Sequence, residues 1–298
     1  MISIVIPNYN RCETLLDLLQ SIYQQQFDDF EVIVVDDCST DGSIEIIQNR
    51  FPDVRILANE RNSGPAVARN RGIRSARGEI VVGLDSDVTL ADRLLLGKVA
   101  DAFITCPKAD ALAFRILASD GESDDVPRWW HPLNLSKFAD RFFYTSYFSG
   151  TGYAIKRESA VDSYLFPEIF YMHYEEVELA MRLIDNGHEI LYCPDLCVLH
   201  HAAPSKGRSR VQMFYKPRNQ ILLAVSCFTP VGIFRYLLPR LIFQLAKSLK
   251  GGYASTFLEA CREGLHLSRH TPGLRRPLQI STFRRLQELR KGDVFSLR

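Results

Sequence analysis

No stretch of this 298-residue chain is both long and apolar enough to suggest a membrane span. The longest apolar tract, Gln220–Leu249, is interrupted by Arg235, Pro239 and Arg240, and so falls short of the ~20 consecutive apolar residues that a spanning helix needs. Cysteine is sparse and unpaired in pattern: there are seven, an odd number with no compact framework. Together with a chain that begins directly on a core strand, with no signal peptide, this predicts a reducing, cytoplasmic setting in which disulfides are not needed. Neither Gly-x-Gly-x-x-Gly nor a P-loop occurs in the loops, which argues against a nicotinamide enzyme and against a P-loop NTPase. No nucleic-acid module is recognisable, so no nucleic-acid partner is expected.

The composition is that of a globular protein, 46% apolar and 24% charged. The net charge of +1 conceals a division along the chain. Residues 1–200 hold 18 Lys and Arg against 31 Asp and Glu, a balance of −13, and residues 201–298 hold 18 against 4, a balance of +14. Two segments so different in charge are expected to do different work.

Strand and helix signals alternate from the start. Met1–Ile6 is a continuous apolar run, the pattern of a strand buried on both faces, and Pro7-Asn-Tyr-Asn ends it in a turn. Leu15, Leu18, Leu19 and Ile22 recur at helical spacing and predict a helix over about 12–26. Strands follow at 31–35 and 54–58, helices at 43–49 and from about 62, and a fourth strand at Glu79–Leu84. This alternation predicts right-handed βαβ units and a parallel sheet. Further on, the pattern gives a helix near 91–104 and a strand near 109–117. An acidic surface loop at 119–125 then reads as a possible lid, and Ser149-Gly-Thr-Gly within 142–156 marks a flexible bend. A helix over 174–186 ends at Gly187, and strand pieces at 189–192 and 196–199 end at His200-His201.

Chemistry-bearing residues collect where these elements end. Asp36 and Asp37, Asp85 and Asp87, and His200 and His201 all follow predicted strands, while Glu175, Glu176 and Glu178 open a helix. Ligands of open α/β sheets bind at the carboxyl ends of strands, and paired carboxylates there suit Mg²⁺ or Mn²⁺ carrying a phosphate. Each feature also has an ordinary reading: a polar turn for the Asp-x-Asp, compensation of the helix dipole for the glutamates, a strand-end pair for the histidines. A zinc site from Cys193, Cys197, His200 and His201 would draw every ligand from one nine-residue segment that reads as strand, and free core cysteines are the commoner case.

Taken in order, Ser3-Ile-Val-Ile-Pro-Asn-Tyr-Asn, Val34-Val-Asp-Asp-Cys-Ser-Thr-Asp-Gly-Ser, Ala68-Arg-Asn-Arg-Gly, Leu84-Asp-Ser-Asp, Tyr174-Glu-Glu-Val-Glu-Leu and Leu199-His-His resemble the motifs of family 2 glycosyltransferases. The resemblance covers about residues 1–220. It implies a GT-A fold, a Rossmann-like, mostly parallel α/β sheet flanked by helices, with a C-terminal helical extension. The corresponding domains are a catalytic domain over 1–220, with donor binding in about 1–117 and the acceptor side in about 118–220, followed by a basic helical region over 221–298.

The same resemblance implies roles. Pro7, Tyr9 and Asp37 would hold the nucleotide base. Arg69 and Ser86 would lie beside the nucleotide, with Asp85 at ribose or metal. Asp87 and His200 would bind Mn²⁺ or Mg²⁺ bridging the diphosphate. Glu176 stands where the family's catalytic acid stands, implying an inverting reaction with that residue as general base. Glu replaces the usual Asp there, leaving Glu175 as the other candidate. The implied partners are a nucleotide-sugar donor, UDP-sugar foremost, and a glycan or lipid-linked acceptor in cell-surface polysaccharide synthesis. Alternatives are a non-catalytic nucleotide-sugar-binding or scaffold protein of the same fold and a nucleotidyltransferase. The latter would need a basic Gly-rich loop after the first strand, which Pro7-Asn-Tyr-Asn is not.

In the basic segment, Leu237, Leu238, Leu241, Ile242, Leu245 and Leu249 recur at helical spacing, with Arg240, Lys247 and Lys250 on the opposite side and Pro239 expected to kink or split the helix. An interfacial helix on an anionic membrane and a helix packing its stripe on the catalytic domain both fit this pattern. The basic tail favours the first, hence a peripheral protein on the cytoplasmic face of a membrane.

Overall fold

The computed structural model of the chain describes residues 1–162, 165–201, 210–292 and 294–295. Its first half alternates: β1 (Ile2–Asn8), α1 (Cys12–Ile22), β2 (Phe30–Asp36), α2 (Ser43–Arg50), β3 (Arg55–Ala58), α3 (Pro65–Ser75) and β4 (Ile80–Leu84). Here β1 pairs in parallel with both β2 and β4, and β2 with β3. Because successive strand residues face opposite ways, Ile4 and Ile6 enter one core with Leu15, Leu18 and Leu19 of α1. Val5 enters the other, with Ala66, Ala68 and Ile73 of α3. The uninterrupted apolar runs are the record of this two-sided burial.

After β4 the connectivity changes. β5 (Val88–Leu90), α4 (Leu95–Thr105), β6 (Ala109–Ala118), a short α5 (Leu135–Phe138), β7 (Phe142–Thr145), β8 (Gly152–Lys156) and α6 (Arg157–Asp162) lead to α7 (Glu175–Asp185) and β9 (Glu189–His200). β8 lies antiparallel between β4 and β6, and β7 is antiparallel to β9. The sheet is therefore mixed: parallel where helices cross between strands, antiparallel where the chain reverses, as at Ser149–Gly152. The two strand pieces expected at 189–192 and 196–199 are one strand, because β9 carries an irregularity where its register to β6 jumps from Cys193 to Cys197.

Helices α8 (Arg210–Cys227), α9 (Pro230–Gly251), α10 (Ala254–His270) and α11 (Ile280–Leu289) follow, with a two-residue β10 (Val294–Phe295) at the edge of the sheet. The ten strands run in the order β10-β7-β9-β6-β8-β4-β1-β2-β3, with β5 on β9 off this path. Residue 221, where the basic segment was expected to begin, lies inside α8. α9 continues through Pro239 as one helix. A third cluster, with Phe170, Leu222, Leu223, Cys227 and Leu278, seats α8 against the segment that precedes α7.

Candidate active site

A cleft of about 290 Å³ opens at the carboxyl ends of β1, β2 and β4. Pro7, Tyr9, Asp37, Arg69, Asp85, Ser86, Asp87, Glu175 and Glu176 all line it. His200 meets it through Asp87.

On the β1–β2 side, the two aspartates of the second strand separate by role. Asp36 is buried and accepts from Asn8 Nδ2 at 3.0 Å and from the Ser39 backbone N–H at 2.8 Å, which pins the two turns together. Asp37 accepts from Asn59 Nδ2 at 2.7 Å and from the backbone amides of Ser63 and Gly64 at 3.0 and 2.7 Å. It thereby fixes the turn into α3. Gly64 has φ +88° and a Cβ there would stand 2.6 Å from the Tyr171 ring, so both conformation and space require glycine. Tyr9 remains 46% exposed at the cleft mouth, the placement of a ring available for stacking.

At the cleft floor, Arg69 of α3 is buried under three carboxylates. Its Nη2 donates to Asp85 Oδ1 at 2.7 Å, its Nη1 donates to Glu175 Oε1 at 3.0 Å, and Glu176 Oε1 lies 3.8 Å away. Phe166 covers the guanidinium at 5.3 Å. A Cβ on Gly150 would fall 2.4 Å from Arg69 Nη2 and 2.6 Å from Glu176 Oε1, so this close approach exists only because residue 150 has no side chain. Burial opposes the arginine's charge, but Asp85, Glu176 and Glu175 more than offset it and raise its pKa. One cation cannot satisfy three anions. Burial and the neighbouring Glu176 carboxylate, against the pull of Arg69, raise Glu175 well above the usual carboxylate range. Glu175 is sealed in at 2% exposure, while the Glu176 side chain keeps 17% and faces the cleft.

Two residues beyond Asp85, a different cluster forms. β5 pairs antiparallel with β9 so that Val88 faces His200, which brings Asp87 to the end of β9. Asp87 Oδ2 lies 3.5 Å from His200 Nε2 and forms an ion pair with Arg11, on the turn before α1. Burial works against ionisation of Asp87, yet the His200 hydrogen bond and the Arg11 guanidinium hold its carboxyl well below the usual range. The other ring nitrogen, Nδ1, is 2.6 Å from Asp125 Oδ2. Arg128 Nη2 stands 3.4 Å from His200 Nε2. His201 turns away to Thr89 Oγ1 at 2.8 Å.

Asp87 and His200 fit a divalent cation. An imidazole whose Nδ1 is fixed by a carboxylate and whose Nε2 is aimed at a second, ionised carboxylate is the arrangement of metal-ligating histidine. A hard oxygen with one nitrogen suits Mn²⁺ and, with more water, Mg²⁺. Among the described residues no group of three or more His, Cys, Asp and Glu side chains is gathered at metal-binding distance, so donor phosphate or water would complete such a shell. Asp85, expected at ribose or metal, has its carboxylate turned to Arg69. The cysteines of the zinc alternative have other surroundings: Cys193 is buried, and Cys197 donates to the Pro194 carbonyl.

The segment leading into α7 is held unusually. Tyr171, His173 and Tyr174 all have positive φ, between 62° and 71°, each at a cost of roughly 1–2 kcal/mol. Asn219 of α8, fully buried, donates its amide to the carbonyls of Phe170, Met172 and His173 at 2.7–2.8 Å. Gln220 donates to Tyr174 Oη at 2.6 Å. The αL residue Tyr174 then starts α7, so Glu175 and Glu176 enter as its first turn.

Sequence reading missed Arg11, Asp125, Arg128 and Asn219. Asp125 lay in the acidic loop read as surface, yet that loop is tied back: the Asp125 N–H donates to the Ile116 carbonyl at 2.9 Å, and Arg115 holds Asp124 at 2.7 Å. Only the acids' density could have marked it.

A mixed sheet of this order with helices on both faces and a carboxylate-rich cleft at the strand ends defines a GT-A glycosyltransferase fold. The chain belongs to glycosyl transferase family 2, whose sequence model matches residues 3–165. It is 42% identical over 96 residues to the succinoglycan biosynthesis protein ExoO of Rhizobium meliloti, covering 31% of this chain and 27% of ExoO. It is 36% identical over 125 residues to the Staphylococcus aureus poly(ribitol-phosphate) β-N-acetylglucosaminyltransferase TarS, covering 40% and 21%. The first curated relatives are matched over only 21–36% of their own length. By structure, TarS 1–349 in complex with UDP-GlcNAc superposes with a TM-score of 0.61 at 20% identity, covering 96% of this chain and 90% of that one. The mannosyltransferase PcManGT from Pyrobaculum calidifontis, in complex with GDP-Man and Mn²⁺, gives 0.60 at 20%, covering 97% and 84%. These structural likenesses bear on the fold.

Proposed function

We propose that this chain is an inverting glycosyltransferase that moves a sugar from a UDP-sugar to a hydroxyl of a glycan or lipid-linked acceptor in cell-surface polysaccharide synthesis. The observation that carries this reading is the gathering of Arg69, Asp85, Asp87, Glu175 and Glu176 around one cleft at the strand ends. The names of ExoO and TarS and the UDP-GlcNAc bound to TarS support the substrate classes. Residues 1–220 are assigned to catalysis and 221–298 to a basic extension, with α8 shared between them.

In this reading Tyr9 covers the base, and Asp37 holds the turn against which it lies. Glu176, the glutamate open to the cleft, accepts the acceptor's hydroxyl proton as that oxygen forms a bond to the anomeric carbon. The bond from that carbon to the diphosphate breaks, and the nucleoside diphosphate leaves with the electron pair. Arg69 fixes Glu175 and Asp85 in place, so that Glu176 is the free base. Arg11 and Arg128, at the cleft rim, receive the diphosphate, and Arg11 exchanges Asp87 for it. Mn²⁺ or Mg²⁺ held by Asp87 and His200 would offset charge developing on the leaving diphosphate.

Donor turnover with Mn²⁺ in wild type, Asp87→Asn and Glu176→Gln tests this. Glu176→Gln is expected to bind donor normally and to transfer about 10²–10⁴-fold more slowly, and Asp87→Asn to weaken metal-dependent donor binding. Wild-type turnover in both variants would refute the assignment.

A further inference from the structure

Helix α9 carries an apolar face that the other described residues leave uncovered. The side chains it buries against α8 and α10 include Gln244 and Ser248, while Val231, Phe234, Leu238, Ile242, Leu245 and Leu249 are exposed, by 38–70%. Their spacing of three and four residues places them on one continuous stripe. Single exposed apolar residues are ordinary, but a stripe along 22 residues is an interaction surface. Of the stripe read from the sequence, Leu237 and Leu241 are half-buried, while Leu238, Ile242, Leu245 and Leu249 are exposed.

Charge identifies the occupant. Between Pro230 and Gly251 there are Arg235, Arg240, Lys247 and Lys250 and no acidic residue. Arg235, Arg240 and Lys250 are exposed. A second copy meeting this face would offer no carboxylate of α9 to pair with Arg235, which borders the stripe, and would leave the cations of the polar side unanswered. A surface that offers hydrocarbon beneath a layer of negative charge satisfies stripe and cations together. No helix among the described residues is long and apolar enough to cross a membrane, so α9, ~33 Å long, would lie in the plane of the surface.

We propose that the outward face of α9 is a docking surface for an anionic lipid bilayer. The inference deepens the reading of a lipid-linked or cell-surface acceptor and rests on it for its biological sense, but its test needs neither donor nor acceptor. The full chain is floated at low salt with vesicles of phosphatidylcholine alone or with about one-third phosphatidylglycerol. Wild type should float with the anionic vesicles and remain at the bottom with the neutral ones. Phe234→Glu/Ile242→Glu should abolish flotation, and because both positions are exposed its circular dichroism melt should match wild type. Arg235→Gln and Lys250→Gln should each weaken partition about five-fold, the equivalent of ~1 kcal/mol per cation at a charged surface. Wild type left at the bottom with anionic vesicles would overturn the proposal, as would a Phe234→Glu/Ile242→Glu variant that still floats. A concentration-dependent dimer that this variant dissociates would also overturn it, assigning the face to a second copy. Wild-type donor turnover in the Glu176→Gln test, which would refute the functional reading, would not alter any of these outcomes.

Discussion

Asp85 and Asp87 sit two residues apart at the end of one strand and belong to opposite kinds of cluster. Asp85 joins Glu175 and Glu176 around the buried Arg69, whose partners are fixed by α3, α7 and the Gly150 turn. Asp87 faces His200 and a half-exposed Arg11, in a cluster whose cations can be exchanged. The first is a closed network that sets the position of the glutamates. The second is open, because the half-exposed Arg11 can leave Asp87 free to meet a ligand. The difference arises because the chain leaves β4 at Leu84 and enters β5 at Val88, so that the second aspartate is carried to the β9 edge.

The largest way to break the contrast is at its closed member. Arg69→Met should cost about 3–5 kcal/mol in chemical denaturation, because it strands buried carboxylates without their cation, whereas Arg11→Met, at the open cluster, should leave stability nearly unchanged. Next, Asn219→Ala should cost about 1–3 kcal/mol by taking this donor from the Met172 and His173 carbonyls. It should also lower kcat, since Glu175 and Glu176 enter the cleft directly after the segment that Asn219 holds. Asp125→Asn should weaken Mn²⁺ affinity, measured by titration calorimetry in the presence of UDP, by about 10–100-fold through loss of the histidine's support, with little change in melting temperature.

The smallest effect is one of pH. Glu175 has its pKa raised by burial and by Glu176, so the folded state binds its proton more tightly than the unfolded state does. Its contribution to stability is whole below the ordinary glutamate range and declines as pH rises toward the raised value. Wild type should thus lose stability with rising pH relative to Glu175→Gln; equal slopes for the two proteins would show that the carboxylate is not perturbed.

How much of this could be read from the sequence varied with the physics involved. Ile2–Ile6 and Val32–Val35 were legible because strands buried on both faces are continuously apolar, and α1 because its four buried residues keep helical spacing. Clustering of acids at strand ends followed from where such sheets bind ligands. The antiparallel half was not legible: β7 and β8 are short, rich in aromatics and separated by glycines, and periodicity has little to act on. Asp125 could not be recognised because its partner lies 75 residues away, adjacent only because Ala118 of β6 pairs with His200 of β9. The stripe of α9 was visible as a stripe, but periodicity does not say which side faces the protein.

The left-handed segment at Tyr171, His173 and Tyr174 has a consequence in time as well as in space. Three unfavourable backbone conformations in four residues are retained by the Asn219 and Gln220 amides, and their strain should lower the free energy at which this stretch opens relative to the sheet beneath it. In native-state hydrogen exchange, the amides from Met172 to Glu175 should therefore exchange through a local event, while those of β1 and β4 wait for global unfolding. The glutamates at the head of α7 would then be delivered to the cleft, and withdrawn from it, by the opening and closing of a single turn.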